Sequence, residues 1–142
     1  MDYQMYIKYR TRMKDTPAFD KFNLTTPENE LFGDAAKERR HFTEYSYKHS
    51  CSSGEIAEPL QVKMMNPMEY VADARADKAQ HIRIRHGAID RDTSVFIPLL
   101  FAVLLQNNGV SVDLAYPGGK WHMGDYDLEK VFDEVDSMEA DK

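Results

Sequence analysis

The chain has 142 residues, 42% hydrophobic and 30% charged, which describes one ordinary globular domain and excludes a low-complexity linker. A net charge of −6 argues against a nucleic-acid footprint, and the one basic cluster, Lys37 to Arg40, contains Glu38 and precedes Glu44, as a solvated helix face would. Cys51 is the only cysteine, which excludes a disulfide framework and a thiolate metal cluster.

No run approaches the ~20 apolar residues of a membrane span. The opening Met1-Asp2-Tyr3-Gln4 lacks the basic and apolar regions of a signal peptide, so a cytoplasmic protein is the default expectation.

In chain order, Tyr3, Tyr6, Tyr9 and Met13 recur at three- and four-residue steps and predict a helix stopping before Pro17. Thr26-Pro27 reads as an N-cap with proline at the first helical position, opening a short turn through Leu31 and Phe32. Asp34 is placed to cap a longer helix from Ala35 to Tyr47. Residues 48–59, with Ser, Gly and Pro, read as an exposed loop that holds Cys51 and has no strand-to-helix elbow to make it a nucleophile. Asn66-Pro67 repeats the cap-plus-proline signal ahead of Met68, Tyr70 and Val71.

From His81 the pattern changes. His81-Ile82-Arg83-Ile84-Arg85 alternates polar and apolar as a strand does and ends at His86-Gly87. Thr93 then opens an apolar helix through Phe96, Ile97, Leu100, Leu104 and Leu105, which closes near Asn107-Asn108-Gly109. Val110, Val112, Leu114 and Tyr116 alternate as a second strand, Pro117-Gly118-Gly119 turns the chain, and Asp125 is placed to cap a helix bearing Leu128, Val131, Phe132 and Val135. This βαβα order predicts two parallel strands joined by a right-handed crossover. Parallel sheets are buried on both faces, so two such strands read as the last piece of a larger α/β sheet.

Each strand is followed by a loop carrying a candidate. Asp90 follows the first and His122 the second, the acid-then-histidine order of the back half of a Ser…Asp…His triad. Imidazole suits proton transfer near neutrality, and a carboxylate behind it fixes the tautomer and stabilises the imidazolium. The intervening residues fit one helix and one strand, returning the chain to the carboxyl end of the sheet, where ligands of open α/β sheets bind. A metal set drawn from His81, His86, Asp90 and Asp92 has no recognised ligand pattern, and neither metal nor cofactor is expected. No Gly-x-Ser-x-Gly occurs in the sequence, so the nucleophile is expected upstream of residue 1 or on another polypeptide.

The run Arg83 to Ser94, together with His122-Met123-Gly124-Asp125-Tyr126-Asp127-Leu128, resembles the C-terminal part of the bacterial tannases, α/β-hydrolase esterases that cleave gallate esters. Thr11 to Lys14, Pro17 to Asp20, Thr26 to Asn29, Leu31 to Asp34 and Asn66-Pro67 before Tyr70 resemble the same family's lid-to-core segment; residues 46–62 and the acidic tail fall outside the likeness. The resemblance implies an α/β fold in two parts, a mostly helical lid-derived segment over 1–80 and a hydrolase core segment over 81–142. It matches Asp90 to the triad acid and His122 to the base, and it matches Lys14, Glu28 and Asp92 to the residues that hold the galloyl hydroxyls. Carboxylates suit phenolic O–H groups as acceptors, and a lysine can donate to a phenolic oxygen.

Gly118-Gly119-Lys120-Trp121 and Met123 depart from the family's pattern around the histidine, which bears on the pocket for the leaving group. The partners implied are a small phenolic ester and the missing N-terminal half of the hydrolase, with no nucleic acid and no membrane. Three readings stand side by side: a tannase-like esterase portion predicted inactive alone, a related carboxylesterase for another ester, and a non-catalytic truncated product.

Overall fold

A computed structural model describes residues 17–123 and 126–140. The helix expected over Tyr3 to Met13, the candidate Lys14 and the expected cap Asp125 lie outside the described residues. The elements run α1 (Pro27–Leu31), β1 (Arg40–His41), α2 (Glu44–Lys48), β2 (Glu55–Ile56), α3 (Pro59–Met64), α4 (Met68–Val71), β3 (His81–Arg85), α5 (Phe96–Asn107), β4 (Ser111–Ala115) and α6 (Leu128–Ala140). No helix among the described residues is long and apolar enough to cross a membrane.

The first half is built around one buried carboxylate. Asp20 Oδ1 accepts from the Asn29 amide at 2.9 Å and lies 2.7 Å from His41 Nδ1. Its Oδ2 accepts from the backbone N–H groups of Phe42 (3.0 Å) and Thr43 (2.8 Å) and from the Thr43 hydroxyl (2.7 Å). Burial raises the Asp20 carboxyl, but the Thr43 hydroxyl, His41 and the two amides outweigh it and hold its pKa below the ordinary carboxylate value.

This hub explains why the single helix expected from Ala35 to Tyr47 does not form. Asp34 does cap a turn, accepting from the amides of Ala36 and Lys37, but the chain then extends. Arg40–His41 pairs in parallel with Glu55–Ile56, and Phe42 and Thr43 turn their amides to Asp20. A helix restarts only at Thr43, whose hydroxyl accepts from Ser46 N–H. The strand β2 lies inside the stretch expected to be only an exposed loop, and Ala57 just after it is buried. Among the described residues the helices of this half are four to six residues long.

In the second half β3 and β4 pair in parallel, His81 opposite Ser111 through Arg85 opposite Ala115. The period-two alternation gives the sheet two distinct faces. Ile82, Ile84 and Val112 pack with Val71, Phe101, Leu104, Leu105 and Val110 in the core. On the other face Arg83 binds Asp127 (2.7 Å) and Glu134 (3.0 Å), and Arg85 pairs with Asp113, which fastens the start of α6 to the sheet.

The helix α5 begins at Phe96 rather than Thr93: Asp92 and Thr93 belong to a turn that gives its amides to Asp90, and the Ser94 hydroxyl accepts from Phe96 N–H. Pro98 falls in its first turn, where a missing N–H costs nothing. Gly109, at φ +80°, ends the helix in the left-handed conformation that favours glycine.

Asp20→Ala strands several buried donors at about 1–3 kcal/mol each, so it is expected to cost at least about 3 kcal/mol in urea denaturation at neutral pH. A carboxyl whose folded pKa is depressed contributes fully above its unfolded value of ~3.9 and loses that contribution as pH falls through the folded value. The gap between the two proteins should therefore narrow in acid. Equal urea midpoints at neutral pH would contradict the hub.

Candidate active site

Because β3 and β4 are parallel and in register, both chains leave the sheet at the same end. The ladder continues past the strands: His86 N–H donates to Ala115 O (3.1 Å), Ala88 N–H to Pro117 O (3.0 Å) and Ile89 N–H to Lys120 O (3.1 Å). The two exit loops are thus joined backbone to backbone. Gly87 sits at their closest approach, where a Cβ would stand 2.2 Å from Trp121 O and 2.3 Å from Lys120 O. Any other residue there would push the loops apart.

The junction delivers two side chains to one place. Asp90 Oδ1 accepts from the amides of Asp92 (2.7 Å) and Thr93 (3.3 Å), which fixes the carboxyl within its own turn. Its Oδ2 lies 2.8 Å from His122 Nδ1. The Asp90 side chain is 4% exposed and that of His122 57%. Burial raises the Asp90 carboxyl, but the His122 ring and the two amides outweigh it, so its pKa lies below the ordinary value. An ionised carboxylate only accepts, so Nδ1 is the donor in this hydrogen bond, which leaves Nε2 as the ring nitrogen not engaged by Asp90. A buried acid behind an exposed imidazole is an arrangement that can take a proton from a neighbouring hydroxyl and return it.

Behind the acid stands His86, buried, with Nε2 3.4 Å from Asp90 Oδ2 and 3.2 Å from Thr93 O. The sequence marked His86 and Gly87 as a strand exit and weighed His86 otherwise only as a metal ligand; the loop backbone that Gly87 meets is 33 residues or more away in the chain and leaves no local signal.

Asp92 is half-buried, and ligand atoms of Asp90, Asp92 and His122 lie within 4.8 Å of one another. These three are also the described residues spaced to chelate a cation. Asp90 and His122 already satisfy each other, however, and a cation held by Nδ1 would have to displace that hydrogen bond. Glu28 lies half-buried in the first turn of α1. A cleft of about 810 Å³ runs along the edge of β3 and into the site, lined among others by Arg85, His86, Asp90, Ile97, Phe101 and His122.

A second acid–imidazole–hydroxyl row occurs in the first half, with Asp20 2.7 Å from His41 Nδ1 and Ser50 Oγ 2.9 Å from Nε2. Here the imidazole is fully buried, and the hydroxyl also meets the carbonyls of Phe22 and Ser52. This row ties three segments together and offers a substrate no approach to its base.

No family model matches the chain, and no curated protein matches it. Solved structures do. The tannin acyl hydrolase from Lactobacillus plantarum is 43% identical at a TM-score of 0.88, over 96% of this chain and 30% of that one. A tannin acyl hydrolase in complex with ethyl gallate matches at 43% identity and a TM-score of 0.87, over 97% and 30%. The tannase of Fusobacterium nucleatum matches at 41% and 0.80, over 89% and 27%. The chain therefore spans about 30% of the length of the first of these. Coverage of 96% leaves no room for the whole of 46–62 to lie outside the likeness, as the sequence suggested.

Gly87→Ala is expected to destabilise the protein by about 1–3 kcal/mol in urea denaturation, the usual cost of forcing atoms into a filled space. Gly118→Ala is the control: nothing among the described residues lies within 4 Å of its added Cβ, and it should change stability by less than about 1 kcal/mol. Similar costs for the two variants would remove Gly87 from its place in the account.

Proposed function

We propose that this chain, which belongs to the bacterial tannase family and spans about 30% of the length of solved members, is the portion of a serine esterase that supplies the acid and the base of the catalytic triad. The observation that carries the proposal is the 2.8 Å contact between Asp90 and His122, an exposed imidazole oriented by a buried carboxylate.

In this reading the nucleophilic serine comes from a segment outside these 142 residues, since no Gly-x-Ser-x-Gly occurs within them. That segment also pairs the free edge of β3 and covers α5, whose Phe96 and Leu100 are exposed. His122 Nε2 takes the proton of the serine hydroxyl as its oxygen bonds to the ester carbonyl carbon. The tetrahedral intermediate then expels the alcohol, which leaves with the proton that His122 returns. Water, deprotonated by the same nitrogen, attacks the acyl-enzyme; the acid departs and the serine regains its proton. Asp90 stays ionised throughout and stabilises the imidazolium.

The substrate proposed is a galloyl ester. Asp92, beside the Asp90–His122 pair, accepts from phenolic hydroxyls, with Glu28 and Lys14 as the further ring-binding groups. A site whose buried polar groups are matched to ring hydroxyls disfavours rings without them, because those groups would be left unpaired.

Residues 1–142 alone are expected to show no gallate ester hydrolysis above background, and joining or co-expressing the upstream half is expected to restore it. In the joined protein, His122→Ala should lower kcat by roughly 10³-fold or more. Asp92→Ala should reduce the preference for methyl gallate over methyl benzoate in kcat/KM by at least about tenfold. A joined, folded protein that hydrolyses gallate esters equally well with and without His122 would overturn the assignment.

A further inference from the structure

The acid of the pair is held by its own turn, but His122 projects from an exposed loop and has no such support. Its backbone makes a three-residue turn, in which Met123 N–H reaches back to Trp121 O at 2.9 Å with His122 at the apex. One backbone hydrogen bond closes such a turn, and an outside contact that binds both of its flanking peptides adds to it.

One side chain touches the peptides on both sides of that apex. The Tyr126 hydroxyl donates to Trp121 O at 2.5 Å and accepts from Met123 N–H at 3.2 Å. A phenol has one proton to give and lone pairs to receive, so both contacts coexist. The tyrosine is itself anchored. Its neighbour Asp127 binds Arg83 at 2.7 Å and lies 3.5 Å from Arg85, both on β3, and the Lys120 ammonium stands 5.8 Å from the centre of its ring. A continuous path thus runs from the sheet through Asp127 and Tyr126 to the histidine turn.

We propose that Tyr126 is a positioning residue for His122, its hydroxyl holding the 121–123 turn so that the imidazole keeps Nδ1 on Asp90 and Nε2 toward the cleft. The catalytic consequence rests on the esterase reading; the positioning does not. Tyr126 touches neither the acid nor the substrate cleft in this arrangement, so substrate affinity should be indifferent to its hydroxyl.

The test is Tyr126→Phe in the full-length protein that carries this chain, followed by methyl gallate hydrolysis and by proton NMR. The His122 Nδ1–H signal is identified as the low-field resonance absent from His122→Gln. Expected is a fall in kcat of roughly 10- to 100-fold with KM within about twofold, since small displacements of a catalytic group cost rate at about that scale, together with loss or a marked shift of the resonance. If Tyr126→Phe retains kcat and the resonance, or raises KM while kcat holds, the positioning role is overturned. If the unmodified protein hydrolyses no gallate ester but its resonance disappears in Tyr126→Phe, the esterase reading fails and the positioning role stands.

Discussion

The site depends on how closely two strand-exit loops approach each other. Parallel pairing of β3 with β4 sends both chains out of the sheet at the same end, and three backbone hydrogen bonds beyond the strands carry the ladder into the loops. Gly87 permits that approach because a side-chain carbon would overlap the carbonyls of Lys120 and Trp121. With the loops joined, Asp90 and His122 meet although they are distant in sequence, and the Asp90 turn sets the height at which the carboxyl meets the ring. The alignment is made by backbone, which has fewer ways to drift than long side chains on separate elements would have.

The sheet beneath the junction is held differently on its two faces. One packs Ile82, Ile84 and Val112 against α4 and α5; the other is closed by Arg83 and Arg85 with Asp113, Asp127 and Glu134. The ionic face ties α6 to β3, and it places residue 127 where the loop bearing His122 must end. Among the described residues β3 has no partner strand on its outer edge and one side of α5 is exposed, and the chain spans about 30% of the length of its solved relatives.

Period-two alternation made β3 and β4 legible to within a residue, since His81 to Arg85 and Val110 to Tyr116 show nothing else. Their parallel pairing followed from the helix between them. The acid and the histidine could be read from their places after those strands, whereas Glu28 and Lys14 came only through resemblance, having no local mark. The expected helix over Ala35 to Tyr47 failed for a definite reason. Its central amides are claimed by Asp20, more than twenty residues earlier, and no local propensity reports such a partner. The start of α5 was placed three residues early, because the apolar pattern marks the helix but not the Asp90 turn that holds the amides of Asp92 and Thr93 ahead of it.

The Asp90–His122 pair is proposed to serve a serine lying outside these residues. The most direct measurement is rapid mixing of the full-length protein with a gallate ester, followed by peptide mass mapping of the acyl-enzyme. Expected is the galloyl group on a serine outside residues 1–142, accumulating in the native protein and absent from His122→Ala. A galloyl group on Ser50 or Ser94, or one that forms at the native rate without His122, would contradict it.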